Sequence, residues 1–90
     1  MKAVRFGPHA LRKFEDLRQY NVTVTREQVE QVLRCPDSVE PGRKGRMVAT
    51  GGFSEHLVLR VVHRETDDAL EIVTFYPGRR SRYEAPIRQG

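Results

Sequence analysis

Ninety residues suffice for one small domain with a single core and leave no room for a second. With 38 % hydrophobic and 31 % charged residues the chain reads as globular rather than disordered, and no apolar run is long enough to span a membrane. The net charge is +4, with 13 arginines among the 16 cationic residues, which favours the planar fork that grips phosphate over the point charge of lysine.

A lone cysteine, Cys35, excludes an intrachain disulfide framework and fits a reducing, cytoplasmic setting. It closes an apolar helical stripe just before Pro36, where a packing role is expected. The start MKAVRFGPHA lacks the apolar region of a signal peptide. No Cys/His cluster has zinc spacing, so neither a structural metal nor a cofactor is expected. Charge is unevenly spread: residues 54–76 sum to −3, residues 77–90 to +3 and residues 1–7 to +2. The basic character sits on the ends, which makes RNA a reasonable partner, although such charge also serves solubility.

In chain order, Lys2–Phe6 reads as a short strand or extended lead-in. Gly7-Pro8 then opens a helix, since proline loses nothing by lacking an N–H in the first turn. Ala10, Leu11, Phe14 and Leu17 fall on one helical face, predicting a helix from about Pro8 to Tyr20 with Asn21 as its stop. A second helix starts with a capping box, Thr25 and Gln28, and with Val24 placed to staple against Val29. Val29, Val32 and Leu33 form its stripe and Pro36 ends it. The short connection between the two predicts a helical hairpin.

Beyond Pro36 the period changes. Ser38–Glu40 is a candidate strand, Pro41–Gly45 a basic turn, Arg46–Thr50 a strand and Gly51-Gly52 a second turn. The most apolar part of the chain follows, HLVLRVVHRETDDALEIVTFY over residues 56–76, and its pattern is that of a β-hairpin turning at Glu65–Asp68. Residues 77–90 read as a basic tail or frayed short helix. The expected architecture is a single α+β domain: an N-terminal helical hairpin packed on one face of a three- to four-stranded antiparallel sheet, with the other face open.

Arg60 interrupts the apolar hairpin. Pairing Val62 with Ile72 and Arg60 with Thr74 places Leu57, Leu59, Val61, Val73 and Phe75 on the core side. Arg60, Arg64, Thr74 and Tyr76 then share the open face with Val58, Val62 and Ile72. His9 is the best-placed group for proton transfer, its competing reading being a plain helix-start histidine. His63 lies on the core-side parity beside the turn and is expected to pair with Glu71, and His56 is a surface residue. Tyr83 among Arg79, Arg80 and Arg82 supplies the aromatic-with-arginine combination that stacks bases and holds phosphates, or else a solvated tail.

The order His9-Ala10, an arginine-bearing first helix, VTVTREQVEQVL followed by Cys35-Pro36-Asp37, then LVLRVV and IVTFY, resembles a small bacterial domain of unknown function. That domain is grouped with the RelE-like toxins and relatives such as BrnT, alongside barnase-like and colicin-like ribonucleases. The resemblance spans residues 9–76. It implies a RelE-like fold and a toxin of a toxin–antitoxin system. The implied activity is a metal-independent endoribonuclease, in which the RNA 2′-hydroxyl attacks the adjacent phosphate. It further implies His9 as base or acid, Arg60 with Arg79 or Arg80 on the phosphate, Tyr76 or Tyr83 stacking a base or relaying a proton, and a small antitoxin as partner. The competing reading is a non-catalytic RNA- or protein-binding module of the same fold, as monomer or homodimer. Fewer basic residues than ribosome-dependent relatives argue against docking on the ribosome.

Overall fold

The computed structural model describes residues 2–83. They form an α+β domain in the order β1 (Ala3–Phe6), α1 (Pro8–Arg18), α2 (Arg26–Arg34), β2 (Ser38–Pro41), β3 (Met47–Gly52), β4 (Leu57–Glu65), β5 (Ala69–Arg79) and α3 (Arg80–Tyr83). The expected three- to four-stranded antiparallel sheet is a five-stranded mixed one, ordered β1-β5-β4-β3-β2. The strand at the N-terminus accounts for the difference: β1 pairs with β5 in parallel, Ala3 with Ala69 through Phe6 with Ile72. Lys2 anchors that edge by donating to the Thr66 carbonyl at 2.6 Å and pairing with Glu65 at 2.8 Å, which holds the Glu65 carboxyl below its ordinary pKa.

The local signals of the helices are realised. Thr25 Oγ1 accepts from Gln28 N–H at 3.1 Å while Gln28 Oε1 accepts from Thr25 N–H at 2.9 Å, completing the capping box. Asn21, two residues past the Gln19 cap of α1, takes the left-handed conformation at φ 62°. Helix α1 rests on β5, and α2 on β3 and β4. Ala10, Val24, Val29, Val32 and Leu33 thereby join Ala49, Leu59, Val61, Ile72 and Phe75 in one buried cluster, with Phe14 wedged against Phe75 at a ring separation of 4.7 Å. Leu11 lies at the rim of its stripe and is exposed. Cys35, expected to pack, is exposed as well: as the α2 C-cap it leaves helical geometry (φ −133°, ψ 65°) and with it the apolar stripe.

Three features of the sheet depart from expectation. First, Gly51 and Gly52 lie inside β3 rather than in a turn, because glycine serves close approach there: a Cβ on Gly51 would sit 3.0 Å from Val32 Cγ2. Second, Arg60 lies opposite Tyr76, not Thr74, and Val62 lies opposite Thr74, not Ile72. A β-bulge follows, since His63 pairs with Ile72 and Val73 becomes the extra residue. It returns Ile72 to the helix-side core, where it is fully buried, and turns Val73 away from it. Third, β5 continues past Tyr76 to Arg79 through Pro77. Proline is tolerated because β1 covers only residues 69–72 of β5, leaving the N–H side of residue 77 without a neighbouring strand.

The sheet face away from α1 and α2 is not fully open. Helix α3 folds back against β4 and β5, and Tyr83 lies over Gly78, where any Cβ would overlap its ring. Val58 is fully buried on this second face and Val48 nearly so. Residues 84–90 of the expected basic tail lie outside the described residues.

The capping box predicts its own cost of removal. Thr25→Ala should lower unfolding free energy by about 1 kcal/mol, read as a shift in urea midpoint at unchanged slope.

Candidate functional site

Two clusters occupy the second sheet face. The first is centred on Arg60, whose side chain is only 11 % exposed. Its edge donates to three acceptors on three strands: Nη2 to Glu40 Oε1 at 2.9 Å, Nε to Tyr76 OH at 3.1 Å, and Nη1 to Thr50 Oγ1 at 3.4 Å. The register sets this up, because Thr50 and Tyr76 flank Arg60 directly across β3 and β5. The plane is covered too: the guanidinium carbon lies 4.1 Å from the centroid of the Tyr83 ring and 5.9 Å from that of Tyr76. Burial by itself would lower the Arg60 pKa, but the bonds to Tyr76 and Glu40 outweigh it and the net shift is upward.

The second cluster lies further along the hairpin. Arg64 and Glu71, cross-strand partners beyond the bulge, form a 2.6 Å hydrogen-bonded ion pair from Nε to Oε1. The other Glu71 oxygen approaches the start of α1: a Cβ built on Gly7 would stand 3.6 Å from Oε2. Helix α1 has no side-chain cap and no acid in its first turn, so Glu71 supplies the negative charge its positive end favours. Together with the exposed His9, with Arg46 at the head of β3 and with Val73 turned outward by the bulge, these groups line a trough of about 180 Å³. One potential base or acid, one carboxylate and two guanidinium groups thus border a space the size of a phosphodiester with part of its sugar.

A larger cleft of about 560 Å³ opens between the loop before β4 and the end of β5, lined by Glu55, His56, Leu57, Arg79, Arg80 and Ser81. Arg80 closes one side by donating from Nε to the Ser54 carbonyl at 3.0 Å and from its backbone N–H to His56 O at 2.9 Å. Arg82 stands 5.9 Å from the Tyr83 ring.

The sequence-derived site residues are therefore divided. His9 and Arg64 meet in the trough; Arg60, Tyr76 and Tyr83 meet in the stacked cluster; Arg79 and Arg80 meet in the cleft. Thr74 lies between the first two groups, opposite Val62, with its hydroxyl buried and unpartnered among the described residues. Arg46 and Glu71 are additions that sequence reading passed over. The expected pair of His63 with Glu71 does not form: His63 faces the helix side opposite Ile72, and the bulge aligns Glu71 with Arg64. The apolar surface expected from Val58, Val62 and Ile72 does not exist, because Val58 and Ile72 are fully buried. Among the described residues no group of three or more His, Cys, Asp or Glu side chains is placed to hold a metal ion, and no helix is long and apolar enough to cross a membrane.

No family model, curated protein or solved structure matches the chain.

Two predictions follow from these partners. Burial pushes the His63 imidazole below its ordinary pKa, and its Nε2 has no partner among the described residues. The unfolded chain then binds the His63 proton more readily, so this group's cost is absent above the ordinary value of about 6.5 and grows as pH falls below it. His63→Gln should flatten the decline in urea-unfolding free energy between roughly pH 7 and 5. Glu40→Gln leaves a buried guanidinium without its carboxylate; since Glu40 is 54 % exposed and solvent compensates in part, a loss of about 1–2 kcal/mol in stability is expected from thermal unfolding.

Proposed function

We propose that this chain is an endoribonuclease of the RelE-like toxin type, acting on RNA at the trough formed by His9, Arg46, Arg64 and Glu71. The observation that carries the reading is the convergence of a histidine, a carboxylate and two arginines in one 180 Å³ depression where the start of α1 meets the ends of β3, β4 and β5. Two successive helices on one side of a sheet, with Arg46, Arg60 and Arg64 on the second side, are also what a RelE-like architecture requires, and the motif order from His9 to Tyr76 supports it.

The groups match the needs of RNA transesterification. The Glu71 carboxylate takes the proton of the 2′-hydroxyl as the 2′ oxygen bonds to phosphorus. Arg64 and Arg46 stabilise the charge that builds on the non-bridging oxygens, and His9 gives a proton to the departing 5′ oxygen. One P–O bond forms and one breaks, leaving a 2′,3′-cyclic phosphate and a free 5′-hydroxyl. In the cell such an enzyme needs a small antitoxin to hold it inactive. A non-catalytic RNA-binding module is the second reading, favoured by the internal hydrogen bond that each Arg60 side-chain nitrogen makes.

Induced expression in bacteria tests the proposal. Growth arrest should accompany new RNA ends bearing 2′,3′-cyclic phosphate. His9→Ala, Glu71→Gln and Arg64→Ala should each lower cleavage by roughly 10²–10³-fold while circular dichroism shows a folded protein. Folded wild-type protein that yields neither arrest nor new ends overturns the ribonuclease reading, and RNA binding without cleavage identifies the module.

A further inference from the structure

We propose that the face of the Arg60 guanidinium is a nucleobase-stacking subsite, filled in the free protein by Tyr83. The inference rests on the reading that RNA binds this sheet face, and adds a base site to the phosphate site in the trough.

The geometry separates the edge of Arg60 from its face. Glu40, Thr50 and Tyr76 take donors around the edge, holding the guanidinium in one orientation. An arginine with three of its five N–H donors so engaged is held in place and offers its plane, the surface on which single-stranded bases stack. The Tyr83 ring already occupies this side of the group, with Cζ over its face at 4.1 Å from the centroid. The ring belongs to α3, an element of four residues, so the occupant is carried on a short segment whereas the platform is built from side chains on four adjacent strands, β2 to β5. Gly78 leaves room beneath the ring that any other residue would fill.

The platform is also correctly placed relative to the trough. Arg60 and Arg64 project from the same side of β4, four residues apart, or roughly 13 Å at the rise of a strand. Between them on this face lie Val62 and the buried Thr74 hydroxyl, a short path with a polar group in its floor that has no partner among the described residues. A single strand with its phosphate at Arg64 and Arg46 can lay a neighbouring base over Arg60 once Tyr83 swings aside. Residues that only completed a structural ion pair would not need a planar cap; burial by an aliphatic side chain would do.

Tyr83→Trp in the full chain gives the test, because the protein has no other tryptophan and its emission then reports this position alone. The probe is a fluorescein-labelled 2′-O-methyl RNA oligonucleotide, which lacks the attacking hydroxyl and is not cleaved, alongside an abasic strand of equal length. Both should bind by anisotropy, but only the base-bearing strand should shift the tryptophan emission to the red as the indole leaves Arg60. Tyr83→Ala, by removing the internal competitor, should tighten the base-bearing strand roughly three- to tenfold and leave the abasic strand unchanged. Binding by anisotropy with no emission change, or an equal change with the abasic strand, overturns the stacking subsite while leaving RNA binding at the trough intact. Weaker binding by Tyr83→Ala overturns it too, and if that variant does not fold the tryptophan titration decides alone. Absence of binding by either strand removes the subsite together with the RNA reading on which it rests.

Discussion

A charge in the middle of a buried strand is the constraint that shapes the second half of this protein. Arg60 stands between Leu59 and Val61, both fully buried on the helix side, so it must project to the other side. An ionised group with so little exposure is tolerated only when its donors are met. The acceptors come from three other strands: Glu40 from edge strand β2, Thr50 from β3 and Tyr76 from β5. Tyr83 of α3 closes the plane. This requirement gives β2, short and exposed throughout, a reason to be in the sheet. It also accounts for glycine at position 78, the only residue that leaves space for the capping ring.

The bulge at Val73 is the second determinant, and it converts a hairpin into a site. In an unbroken ladder continuing the pairing of Arg60 with Tyr76, Ile72 would face away from the helices. The extra residue restores Ile72 to the core, worth roughly 1.5–3 kcal/mol of apolar burial. The same step sets Arg64 across from Glu71 and points Val73 into the trough. A packing requirement on one side of the sheet thus decides which charges meet on the other. Glu71 is drawn in further by α1, whose uncapped start at Gly7 leaves a positive end for it to face.

Local chemistry was legible in the chain wherever the deciding atoms are near in sequence. The Thr25–Gln28 capping box, the Asn21 stop, the helix start at Pro8 and the hairpin turn near Thr66 each depend on contacts within a few residues. Arg60 was recognisable as anomalous because its neighbours are apolar, and its side of the sheet followed from period-two alternation. The pairing of His63 with Glu71 was misread, since alternation cannot reveal where a bulge interrupts it. Lys2–Phe6 could be read as a short strand or an extended lead-in, but its parallel pairing with a strand more than sixty positions away could not, and so the sheet was undercounted. Cys35 was misplaced because a C-cap geometry, not the periodicity leading up to it, sets its direction.

By itself the sequence determined an α+β chain with two amphipathic helices, a central hairpin, an arginine that must leave the core side of its strand, and a histidine at a helix start. These follow from periodicity, capping and the cost of burying charge, all of which act over short stretches. Only the tertiary structure decided that His9 and Arg64 share a trough with Arg46 and Glu71, while Arg60 is enclosed by Glu40, Thr50, Tyr76 and Tyr83. Those neighbourhoods depend on strand order and on one inserted residue in a ladder. Both are set by how the whole core closes, a sum over distant contacts that no local stretch contains.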